Sequence, residues 1–164
     1  MDLFTIIIDY KPQKFKYMGV NIYMKRIPTK AELDAIKKKI DDLDFYDAKE
    51  DLENLITNTE VHIGKCSMGW QFLFAPNPDY YTENRKSIDQ FLRESGKGEW
   101  ILKNEYGDTV DPDVFWDLYV DSHKDLYTLE SYYKDHPEES NDYWVLHEHI
   151  SKDGLRISST ADFG

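Results

Sequence analysis

The residues of this chain best placed to do chemistry lie in one run, Val61-His62-Ile63-Gly64-Lys65-Cys66-Ser67-Met68-Gly69-Trp70-Gln71-Phe72-Leu73-Phe74. It gathers an imidazole, an ammonium, a thiol and a hydroxyl around two glycines, which permit the positive φ and close backbone approach of a tight or bulged connection. Val61 and Ile63 on one side, and Trp70, Phe72 and Phe74 on the other, alternate with polar residues and predict a hairpin with this group at its tip. Such a tip can hold a nucleotide or another small anion: His62, Lys65, Ser67 and backbone N–H groups would surround the negative charge, with Trp70 as a stacking wall. The competing explanation is structural, with glycines that only make the turn, His62 satisfied in its strand and Lys65 solvated. A phosphate loop is excluded, because Thr59 stands where that motif needs its first glycine and the following run reads as strand. Cys66 next to His62 also raises a thiol nucleophile, since an imidazole and Lys65 would lower its pKa.

His147 and His149 are two apart in a predicted strand, so their side chains share a face and reach a common metal or phosphate. A metal would need a further ligand, with His62 a candidate if the last hairpin packs beside the first; Glu148 points the other way. Solvent-facing strand histidines have a simpler explanation as surface residues, and no cofactor is expected. A third group is acidic. Glu105, Asp108, Asp111, Asp113, Asp117, Asp121 and Asp125 recur every two to four residues around Phe115-Trp116-Asp117-Leu118-Tyr119. On one side of a folded domain they would imitate the phosphate spacing of a duplex and attract a basic protein surface, while disfavouring direct contact with DNA. Asp113, Asp117 and Asp121, with Trp116 as anchor, are the expected partner-binding residues.

The stretch His62-Ile63-Gly64-Lys65-Cys66-Ser67-Met68-Gly69-Trp70-x-Phe72 resembles the His-Ile-Gly-Lys-Ser-Ser-x-Gly-Trp-x-Phe signature of small uncharacterised proteins encoded by tailed bacteriophages. Asn104-Glu105-Tyr106-Gly107 before Asp111-Pro112-Asp113-Val114-Phe115, and the ending Ala161-Asp162-Phe163-Gly164, are similar to later features of those proteins. Cys66 stands where they usually carry serine, which counts against a thiol nucleophile. The resemblance implies a phage origin and a shared fold, and turns the functional expectation towards host takeover or defence evasion without supplying a mechanism. The leading expectation is therefore a phage-type stoichiometric inhibitor or modulator of a host protein, in the host cytoplasm. The alternative is a nucleotide or small-anion binding protein or enzyme.

Composition sets bounds on these readings. The 164 residues suit one domain with a proper core, and 15% aromatics supply burial despite 32% charged residues. One cysteine excludes an internal disulfide or a multi-cysteine zinc site. The short apolar run Phe4 to Ile8 is neither a signal peptide nor a membrane span. The net charge of −12 is unevenly spread: residues 1–39 hold nine Lys/Arg against four Asp/Glu, and residues 104–164 hold four against fifteen. A solubilising acidic surface is the plain interpretation of that imbalance.

The elements that must position these groups follow from pattern. Leu3 to Tyr10 and Gly19 to Lys25 read as strands joined through Lys11-Pro12-Gln13-Lys14. Thr29 and Glu32 form a capping box for a helix with Leu33, Ile36, Ile40 and Leu43 inward, and a second helix covers about Asp47 to Ile56. Thr82 is expected to cap a helix burying Ile88, Phe91 and Leu92, stopped by Ser95-Gly96-Lys97-Gly98. Trp100 to Leu102 reads as strand; Asp111 caps and Pro112 opens a helix burying Val114, Phe115, Leu118 and Tyr119. Leu126, Leu129, Tyr132 and Tyr133 allow another helix. Tyr143 to Ile150 and Leu155 to Ser159 close the chain as a hairpin. The sum is one α+β domain over 1–164: a basic strand–helix region over 1–58, then the hairpin and acidic region over 59–164, with a mostly antiparallel sheet and helices on one face.

Overall fold

The computed structural model describes residues 19–57, 60–139 and 147–160. The expected strand Leu3 to Tyr10, its Lys11–Lys14 connection, the Tyr143–Leu146 part of the last hairpin and the Ala161–Gly164 ending lie outside those residues.

The fold is α+β. Six strands, β1 (Val20–Arg26), β2 (Glu60–Cys66), β3 (Leu73–Phe74), β4 (Trp100–Asn104), β5 (Glu148–Ile150) and β6 (Arg156–Ser158), form one sheet in the order β4-β1-β2-β3-β6-β5. Among the described residues every pairing of these strands is antiparallel except β3 with β6, where Leu73 and Phe74 run parallel to Arg156 and Ile157. Side chains alternate across the strands. Val20, Ile22 and Met24 point into the core while Asn21 and Tyr23 point out.

The buried face is covered by α3 (Arg85–Leu92) and by a composite helix after Asp111. Asn84, rather than Thr82, caps α3: its side chain accepts the Ser87 N–H at 2.8 Å, while the Thr82 hydroxyl accepts from the Asn84 amide. Ile88, Phe91 and Leu92 are buried, as their spacing predicts. Asp111 and Pro112 start the composite helix as read from sequence, but only α4 (Pro112–Val114) is α-helical; Phe115–Val120 is π-helical and Asp121–His123 is a 3₁₀ turn. The wider π turn lets Phe115, Trp116, Tyr119 and Val120 all face inward. Their rings join Phe72 and Phe74, with Phe72 edge-on to Phe74 at 4.7 Å and to Phe115 at 5.2 Å.

Two helices depart from expectation in their packing. The Thr29–Glu32 capping box opens α1 (Lys30–Asp41), with the Thr29 N–H donated to Glu32 Oε2 at 2.8 Å. Then α2 (Phe45–Thr57) folds back on α1. Neither helix contributes to the central core: Ile36 and Ala48 are buried, while Leu33, Ile40 and Leu43, which the periodicity placed inward, are exposed, as is Leu52. Finally α5 (Leu129–Asp135), capped by Thr128, lies near β5 through Glu148, whose Oε1 accepts the Leu129 N–H at 2.7 Å.

Candidate functional site

The glycine-flanked run is a hairpin, but a short-stranded one. Only Gly64 and Lys65 pair with Phe74 and Leu73; Trp70 instead bridges to Tyr127, and Gln71 N–H donates to the Tyr127 carbonyl at 2.9 Å. Gly69, with φ +85°, makes the turn that the Trp70 N–H closes onto Ser67 O at 3.1 Å. Gly64 has a different job. It lies inside β2 beside a bulge where the register to β1 slips between Ile22 and Tyr23.

That bulge decides which side chains meet. His62 pairs with Tyr23, stacks on its ring at 4.7 Å, and shares its Nε2 between Asn21 Oδ1 and Gly64 O, each at 3.1 Å. Burial lowers the His62 pKa, against the opposing pull of the Gly64 carbonyl. Lys65 is opposite Asn21, on this same outer face. Cys66 is opposite the buried Val20, on the core face, and Ser67 borders the same interior space. Trp70 turns away towards Arg156, whose Cζ is 4.9 Å from the ring, and Tyr132 at 5.1 Å. The four residues expected to form an anion pocket, His62, Lys65, Ser67 and Trp70, are therefore divided among three environments. The pairing of Cys66 with His62 is corrected likewise, since the two side chains leave opposite faces of the sheet.

Cys66 has another partner. Its Sγ is 3.5 Å from His123 Nε2, and His123 Nδ1 is 2.8 Å from Ser122 Oγ. The π turn followed by the 3₁₀ turn carries His123 to this point, 57 residues away in sequence. Burial pushes the Cys66 thiol up to about 11. A cavity of about 110 Å³ opens beside the pair, walled by Val20, Leu118, Tyr119, Met68 and Ser67.

Two of the three aspartates expected to face a partner, Asp113 and Asp121, are engaged at home. Arg85 holds Asp121 with two bonds of 2.7 and 2.6 Å, and Arg93 donates to Asp113 and Asp89 at 2.8 Å each. Trp116 is 4% exposed; its Nε1–H donates to Asp89 at 2.7 Å, and Arg85 Cζ sits 4.2 Å from its ring. As an exposed anchor Trp116 is corrected: the inward π-helical stripe takes it into the core. Asp117 is exposed, on a cleft it shares with Arg85, Asp89, Arg93 and Asp113. Asp113 and Asp121 tie the composite helix to α3, so reversing their charge would strain the fold as well as the surface.

This network carries a pH signature. Burial works to raise the Asp89 carboxyl, but its bonds from Arg93 and Trp116 leave it lowered, and Arg85 lowers Asp121. Folded values depressed below the unfolded ones mean that the stabilisation is complete above the ordinary carboxylate range and is lost as pH falls through the folded values. Acid unfolding followed by circular dichroism should accordingly be shallower in an Asp89→Asn/Asp121→Asn variant than in the wild type below about pH 4. Identical acid limbs would remove these two groups from the account.

His149 Nε2 is bonded to Glu83 at 2.5 Å, and both His147 and His149 are exposed. β3 and β6 separate β5 from β2, about 14 Å at three strand spacings, so His62 does not join them. Among the described residues no group of three or more His, Cys, Asp or Glu side chains is arranged to hold a metal. Glu148 leaves the opposite side and is buried against Arg156 at 2.5 Å, a pair that sequence reasoning missed because its members are joined only by strand register.

The surface that sequence reasoning also missed is the tip joining α1 and α2. Tyr46 is 90% exposed, Leu43 73% and Phe45 59%, and Asp41, Asp42, Asp44 and Asp47 around them are exposed too. Leu43 has φ +63°, a left-handed conformation that glycine normally takes at a helix end. A large apolar side chain held there and turned to solvent costs about 1 to 2 kcal/mol of backbone strain relative to the right-handed region. The signal in sequence was Leu43, Phe45 and Tyr46 interleaved with Asp42, Asp44 and Asp47 just past the end of α1.

Comparison with protein-family models, curated proteins and solved structures finds no match to this chain. Among the described residues no helix is long and apolar enough to cross a membrane.

Proposed function

We propose that the protein works by stoichiometric binding, docking the apolar tip between α1 and α2 on a basic surface of a protein partner. The observation that carries this is the exposure of Leu43, Phe45 and Tyr46, interspersed with four exposed aspartates over residues 41–47. Large apolar side chains clustered on a surface favour burial at an interface, where aromatic residues commonly dominate binding energy. The surrounding carboxylates favour a partner rich in lysine and arginine and would speed its approach. The resemblance to tailed-phage proteins supports a host protein of defence or nucleic-acid handling as that partner, met in the host cytoplasm. Direct binding to DNA is disfavoured by the same aspartates. A nucleotide or anion site at His62, Lys65, Ser67 and Trp70 receives no comparable support, because those side chains do not converge.

The test is retention of host proteins by wild-type and variant baits. A discrete basic partner should be held by the wild type and by Asp117→Lys, and lost at least tenfold by Leu43→Gly/Phe45→Ser/Tyr46→Ser. The thermal midpoint of the triple variant should stay within a few degrees, since little buried area is removed. Equal retention by the triple variant would rule out the tip.

A further inference from the structure

Cys66 and His123 are brought together at a cavity that the binding role does not use. Ser122 decides the tautomer of His123. Its hydroxyl has one proton, donated to the Leu118 carbonyl at 2.5 Å, so its oxygen must accept from His123 Nδ1–H. In the neutral ring Nε2 then carries a lone pair, and it is this atom that faces the Cys66 sulfur. The order is thiol, base, orienting hydroxyl, with the nucleophile and base in contact and the base held by a third group. Cys66 is half-buried and, with His123, lines the cavity itself.

The cavity selects what could arrive there. Its volume, about 110 Å³, is near the liquid volume of four waters, enough for a group of acetyl to butyryl size. Val20, Leu118, Tyr119 and Met68 make most of the wall apolar, which disfavours a charged ligand, and Ser67 adds one hydroxyl.

We propose that Cys66 and His123 form a nucleophile–base pair that takes up a short, uncharged acyl group from an activated ester or thioester. The sulfur bonds to the carbonyl carbon as the bond from that carbon to the leaving oxygen or sulfur breaks. The thiol proton passes to His123 Nε2 and from there to the departing alkoxide or thiolate. No oxidant or reductant is consumed. A thiol that burial holds protonated reacts this way only if the base removes its proton during attack.

The probe is p-nitrophenyl acetate offered to the full chain, with peptide mapping of the acetylated residue and the pH dependence of its formation. Expected is one acetyl group on Cys66, formed at least tenfold faster at neutral pH than in His123→Gln, with an acid limb in the pH–rate profile that the variant lacks. Circular dichroism checks that the variant is folded. Leu118→Phe, which leaves both side chains in place and fills the cavity, should slow acetylation by a similar factor while iodide quenching and denatured-state thiol titration remain as in the wild type. Acetylation of Cys66 at equal rates in wild type and His123→Gln would overturn the proposal. So would a Cys66 that reacts only after denaturation, or acetylation confined to lysines.

Discussion

Replacing Gly64 by alanine is expected to lower folding stability by about 3 kcal/mol or more, the upper range for overpacking a filled site. A Cβ at this position would lie 2.2 Å from the Leu73 carbonyl oxygen and 2.6 Å from a ring carbon of Phe72. Neither can step aside cheaply. Leu73 is in β3, paired to both Lys65 and Arg156, and Phe72 is 2% exposed between Phe74 and Phe115. Gly69→Ala is the control: nothing lies within 4 Å of its Cβ, and only its φ of +85° opposes alanine, for a loss of about 1 kcal/mol. Urea unfolding of the two variants should rank them in that order. A Gly64→Ala midpoint close to the wild type would mean that β2 and β3 do not approach as described.

The second large effect is at the far side of the sheet. Arg156 donates Nε–H to Glu148 at 2.5 Å and Nη1–H to the Gln71 carbonyl at 3.0 Å, with both members of the ion pair nearly sealed from water. Burial lowers the pKa of the guanidinium although Glu148 pulls it up. Arg156→Met would leave a carboxylate buried without its cation, a loss of about 3 to 5 kcal/mol. The Glu148→Gln/Arg156→Met pair should recover part of that loss, because the stranded charge is gone while the amide can still accept the Leu129 N–H. Chemical denaturation of the four proteins in the cycle measures the coupling, and strict additivity would show that the pair is not coupled.

What was legible beforehand was local. The Thr29–Glu32 box, the Asp111–Pro112 start and the Ile88, Phe91, Leu92 stripe each depend on neighbours within a turn or two, and each stands where the pattern put it. The α+β class followed from the same signals. The functional groupings were not legible, because they are made by distant pairings. Asp113 and Asp121 looked like an outward face until Arg93, just past the end of α3, and Arg85, at its start, answered them. Cys66 has His62 four residues away in sequence, but a bulge and a π turn give it His123 instead. Leu33, Ile40 and Leu43 had the spacing of a buried stripe, and periodicity alone does not tell whether anything covers it.

The parallel union of β3 with β6 has a consequence for how the chain is born. Residues 156–158 are threaded between β3 and β5, so an interior strand is made more than eighty residues after its parallel neighbour. Until the ribosome has delivered it, the hydrogen-bonding edge of Leu73 and Phe74 stays open. This half of the sheet therefore forms only after a loop of more than eighty residues has been made and closed, and it is in that interval that the nascent protein is most exposed to aggregation.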